Sequence, residues 1–202
     1  MVDAIRLTDD EVVALAGRLG VPWFGPLPTV DEGDPTALLQ SAERGERSFG
    51  MSGATVVSAE GVRFDIGELA EHLRAAFGDK PRLLGYVAEE AVPTVPAGIS
   101  VAIFPDSGET RILTATRPGG VTEFSKLASD EAKEVVRTIS RAPDTATTPI
   151  AVVLAVPSKG VSGHTLTITA AESHIGTFGP SGLDLQVEGA GPGALEAILA
   201  DL

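Results

Sequence analysis

The chain has 202 residues, no cysteine, 28 acidic against 15 basic side chains and a net charge of −13. Without cysteine there is no disulfide scaffold, no thiol nucleophile and no thiolate metal site. The acidic excess argues against nucleic acid and anionic membrane surfaces as partners, since both are bound by clustered Lys and Arg. No apolar run approaches the roughly 18 to 20 residues of a membrane helix. The longest, 150–156, has the length of a strand. The N-terminus turns acidic at Asp3, Asp9, Asp10 and Glu11 and has no basic stretch leading into an apolar core. No signal peptide is expected, and the expected location is the cytoplasm.

Thr8 and Glu11 form a capping box, and Asp9, Asp10 and Glu11 put negative charge where the helix dipole favours it. Val12, Leu15, Ala16 and Leu19 follow at helical spacing, and Gly20 ends this first helix. The next segment, 21–28, holds three prolines around Trp23 and Phe24 and is not helical. Asp34 and Pro35 open a second helix through Leu38, Leu39 and Ala42, with Gly45 as its stop. Short extended pieces at 47–51 and 55–64 follow. Asp65 then caps a third helix, with Glu68 at the capping-box position, an apolar side of Leu69, Leu73, Ala76 and Phe77, and Gly78 as its end.

Strand patterns begin at 82–88 and 99–104, and a turn at 106–109 leads into 111–116. Gly119 and Gly120 make a second turn into 121–124. A fourth helix, capped by Ser129, takes in Ala132, Val135, Val136 and Ile139. After a polar linker at 143–148, strands are expected at 150–156, 165–170, 174–178 and 183–187. A closing helix over 193–202 carries Leu195, Ile198 and Leu199. Antiparallel meanders punctuated by helices give an α+β class, with a central, mainly antiparallel β-sheet flanked by helices. Strands followed by a helix occur twice, at 82–141 and 149–202, which is compatible with two pseudo-symmetric halves. The expected organisation is one domain over 1–202 with sub-halves 1–141 and 149–202.

Candidate chemistry is sparse. His72, His164 and His174 have no second ligand at metal spacing, so no metal site is expected. Ser52-Gly53 and Ser162-Gly163 are loop dipeptides and not strand–turn–helix elbows, which removes the context a serine nucleophile needs. The glycine-rich run 189–193 precedes a helix but lacks the Lys-Ser/Thr of a phosphate loop, and Pro192 removes a backbone donor. No cofactor is expected. Trp23 and Phe24 either wedge their loop onto the core or protrude as an anchor for a partner. Asp130, Glu131 and Glu134 are read as the solvated face of the fourth helix, although they would also suit a basic partner.

Several stretches together resemble EspG-type proteins. They are the opening Leu7-Thr8-Asp9-Asp10-Glu11 helix ending in Leu19-Gly20-Val21, the segment 69–77 followed by Pro81-Arg82-Leu83-Leu84, the hairpin 101–116, and the late meander with its closing helix. EspG-type proteins are cytosolic specificity chaperones of actinobacterial type VII (ESX) secretion that bind PE–PPE heterodimers. The resemblance implies an α+β fold with a central sheet and quasi-twofold symmetry. It also implies a non-enzymatic chaperone or adaptor with a helical secreted protein as partner. No contact residue of the family is carried over to this chain. The chain is expected to be shorter than a full EspG. Two rivals remain: a small-molecule or lipid-binding module with Trp23, Phe24 and Tyr86 lining a cavity, and a hydrolase using His164 or His174. The oligomeric state is not legible.

Overall fold

The computed structural model describes residues 5–20, 23, 25–51, 55–57, 63–65, 81–89, 96–105, 110–157, 163–179, 182–189 and 193–202. In chain order the elements are β1 (Ile5–Thr8), α1 (Asp9–Leu19), α2 (Pro35–Met51), β2 (Thr55–Val57), β3 (Arg63–Asp65), β4 (Leu83–Glu89) and β5 (Pro96–Pro105). They continue with β6 (Thr110–Arg117), β7 (Val121–Ala128), α3 (Ser129–Ser140), the single turn α4 (Ala142–Thr145) and β8 (Ile150–Pro157). The last are β9 (Gly163–Ile168), β10 (Ser173–Gly179), β11 (Gly182–Gly189) and α5 (Ala194–Ala200). The pairings of β1 with β7, β2 with β3, β4 with β5 and β8, and β8 through β11 in succession are all antiparallel. The class is therefore α+β. The chain gathers into two compact units, Met1–Lys80 with Phe104–Leu127, and Pro81–Ile103 with Ala128–Leu202. The third helix expected over 66–78, the turn at 106–109 and Phe24 lie outside the described residues.

In the first unit the Thr8 hydroxyl accepts from the Glu11 N–H at 3.3 Å, and the Glu11 carboxylate accepts from the Thr8 N–H at 2.9 Å. This is the capping box that the sequence predicts. Gly20, at φ 65°, ends α1 in a left-handed conformation. Strand β1, which the sequence pattern does not announce, pairs with β7 and buries Ile5 and Leu7.

The second helix departs from expectation. Gly45 does not stop it, and α2 runs on to Met51 through the segment read as extended. The glycine is there for contact: a Cβ at position 45 would overlap the Asp10 carbonyl and lie 2.8 Å from the Ala14 methyl. The missing side chain lets the α2 backbone approach the α1 backbone at Asp10 and the Ala14 methyl. Arg44 donates two 2.7 Å bonds to Asp10, and these hold the Asp10 carboxyl below the usual carboxylate range. Ser41 and Ser48 donate at 2.7 Å to Asp10 and Glu11, and Arg18 pairs with Glu46 while lying over the Phe49 ring.

Asp9 ties three segments together. Its Oδ2 accepts from the Thr29 N–H at 2.8 Å and from the Thr29 hydroxyl at 2.7 Å. Its own N–H donates to the Gly120 carbonyl at 2.9 Å. Gly120 sits at φ 73° in the β6–β7 turn, where a Cβ would come 2.6 Å from the Thr29 side chain. A buried carboxylate at a helix N-terminus is favoured by the helix dipole and by charged hydrogen bonds.

Glu32 lies on the same loop. Partial desolvation pushes its carboxyl above the usual range, a Leu27 backbone bond pulls it back, and the Asp9 charge pushes it up again. A carboxyl raised in the folded state adds stability that is full below its unfolded pKa and is lost as pH rises through the folded one. Glu32 is exposed, so solvent screens most of this effect, and Glu32→Gln is expected to raise the melting temperature at pH 7 only slightly. The gain should vanish near pH 4, where wild-type Glu32 is itself largely protonated, and melting curves at both pH values check it.

In the second unit β4 lies between β5 and β8, and β8 to β11 form a meander. Strand β8 is buried from Ala151 to Ala155, which requires cover on both faces. Ala132 and Val136 of α3, and Leu199 and Leu202, are buried in the same unit. The sequence places the α3 cap on Ser129, whereas Ala128 occupies that position. Ser129 is the first helical residue, and its hydroxyl donates to the Leu202 carbonyl at 3.2 Å. The linker read at 143–148 begins inside the single turn α4.

Candidate partner-binding surface

Three stripes run along α3, as the 3.6-residue period requires. Ala132, Val136 and Ser140 are buried. Lys133, Arg137 and Arg141 form a basic stripe, in which Arg137 reaches Glu196 at 3.2 Å and Glu134 at 3.6 Å. The remaining stripe is Glu131, Glu134, Val135, Thr138 and Ile139, spaced i, i+3, i+4, i+7 and i+8. These five residues line an open depression of about 360 Å³. Val135 and Ile139 are only half-buried, while Glu131, Glu134 and Thr138 are exposed. Glu131 also accepts from the Ala128 N–H at 2.9 Å, so one rim carboxylate is fixed by the start of the helix.

Helical spacing groups Val135 and Ile139 with Ala132 and Val136 as the apolar residues of this helix. The structure divides the four. The signal was present: an apolar arc containing 132, 135, 136 and 139 is wider than one buried stripe, and the acids at 131 and 134 mark its open edge. Asp130, Glu131 and Glu134 are exposed, in keeping with a solvated helix face.

Trp23 belongs to the first unit. Its ring is half-buried, with centroids 5.9 Å from Phe104 and 5.7 Å from Phe124. Tyr86 belongs to the second unit, on β4 opposite Ser100 and Val153, and burial pushes its phenol above the usual range. His164, which the sequence places after Gly163 in a hairpin turn, lies in strand β9, exposed and opposite Val156 and Thr177. His174 in β10 places Nε2 2.9 Å from a Glu172 carboxylate oxygen. Among the described residues no group of three or more His, Cys, Asp or Glu is placed to hold a metal. Among the same residues no helix is long and apolar enough to cross a membrane. A second depression, of about 330 Å³, lies between the 146–150 strap and the 169–171 turn, and its described lining carries no titratable side chain. Leu39, Ile99 and Ile175 are exposed, as scattered apolar side chains commonly are.

Neither a family model nor a curated protein matches the chain. Among solved structures it is similar to the Mycobacterium tuberculosis type VII secretion system chaperone EspG5, determined in complex with a PE25–PPE41 dimer. The identity is 8%, the alignment covers 98% of this chain and 95% of that one, and the TM-score is 0.49.

Proposed function

We propose that this chain is a non-enzymatic cytoplasmic adaptor of the EspG type, which covers an apolar surface on a helical secreted protein and keeps it soluble until export. The observation that carries this reading is the half-exposed apolar stripe on α3, bordered by carboxylates. A surface of this composition suits a protein partner, because large apolar patches left open on a client promote aggregation. The sequence resemblance in the opening helix, in Pro81-Arg82-Leu83-Leu84 and in the late meander supplies the class of client, a PE–PPE-like helical protein.

The test is affinity capture from the native cytosol with the full chain as bait, followed by mass spectrometry and size-exclusion chromatography. A stoichiometric helical secretion substrate is the expected result. A bait that elutes alone, from cells shown to express such substrates, would overturn the reading and favour a ligand-binding module.

A further inference from the structure

We propose that the α3 stripe receives an amphipathic helix whose apolar ridge is flanked by Lys or Arg. The inference rests on the partner-binding reading above and specifies the chemistry of the partner. Val135 and Ile139 provide an apolar floor four residues apart, the spacing at which a partner helix presents its own i and i+4 side chains. The helix has 12 residues, about 18 Å at 1.5 Å per residue, so it matches roughly three turns of a partner.

Charge selects the flanks of that partner. The described rim is acidic, with Glu131 and Glu134 on the stripe, although Glu134 also lies 3.6 Å from Arg137. The basic residues of α3 lie on a separate stripe, and Arg137 is already engaged by Glu134 and Glu196. An approaching acidic helix would meet these carboxylates and a chain of net charge −13, whereas a basic one would be attracted by both.

The test uses the full chain and a labelled peptide of about 18 residues, long enough to sustain a helix, with leucines at helical spacing and lysines beside them. Binding is followed by fluorescence anisotropy at low salt. Glu131→Gln with Glu134→Gln keeps an acceptor for the Ala128 N–H and should weaken binding by about threefold or more. Ile139→Asn, which removes the apolar floor without adding charge, should weaken it by about tenfold or more. A control pair, Glu43→Gln with Asp144→Asn, removes the same net charge at exposed positions elsewhere and should leave affinity within about twofold. Equal weakening by the control pair, or undiminished binding by the α3 variants, overturns the proposal. Capture of the cytosolic partner separates the two readings. If the α3 variants still capture it fully, the α3 site falls, and the adaptor reading then rests on the capture itself.

Discussion

Gly45→Ala is expected to destabilise the protein by about 3 kcal/mol, the upper part of the range for forcing extra atoms into a packed contact. On an exposed helix the same change would stabilise by about 1 kcal/mol, because alanine is the better helix former. The two effects have opposite signs, so the experiment decides cleanly. A methyl at position 45 would meet the Asp10 carbonyl, which belongs to the α1 backbone and cannot rotate away, and the Ala14 methyl on the next turn. Relief requires separating α1 from α2. That movement would lengthen the Arg44–Asp10, Ser41–Asp10 and Ser48–Glu11 bonds. Urea denaturation of the variant should show a lower midpoint. A higher midpoint would mean that the two helices do not touch at this position.

Asp9→Ala should cost a similar amount, about 3 kcal/mol. Asp9 is only 1% exposed and accepts two hydrogen bonds from Thr29. Its removal takes away charged hydrogen bonds worth about 1.5 to 3 kcal/mol and leaves the Thr29 donors without their acceptor. It also removes negative charge from the first turn of α1. Asp9→Asn keeps one oxygen for Thr29 and should lose less than the alanine variant. Thermal denaturation of both variants checks the ranking. An alanine variant as stable as the asparagine one would show that the carboxylate is not holding the loop.

Elements whose signal is local were legible in the sequence. The Thr8–Glu11 box, the Gly20 stop and the apolar run that became β8 each act through residues within a few positions of one another. The misreadings share one cause, that a distant segment supplies the deciding contact. Gly45 reads as a helix stop until α1 is laid against it. Ser129 reads as a cap until its hydroxyl is found on the Leu202 carbonyl, 73 residues away. Strand β1 is four residues long and is defined by its pairing with β7, which no local pattern announces.

The candidate surface was half legible for the same reason. Its acids were read correctly as exposed, and helical spacing placed Val135 and Ile139 on an apolar arc. Only the burial of Ala132 and Val136 beside the partly open Val135 and Ile139 shows that the arc is too wide to be buried whole. Trp23 carried the opposite ambiguity. Prolines and glycine around it left both a buried and a protruding ring open, and the rings of Phe104 and Phe124 that meet it lie some 80 and 100 positions further along the chain.

The central claim is that this chain binds a helical protein partner through the α3 stripe. Hydrogen exchange of the chain with and without its captured partner tests it most directly, because amides under a docked helix become protected while others do not change. Slowed exchange across 131–139, with β8 unaltered because it is already buried, is the predicted result. Unchanged exchange along α3 in a complex shown to be stoichiometric would contradict it.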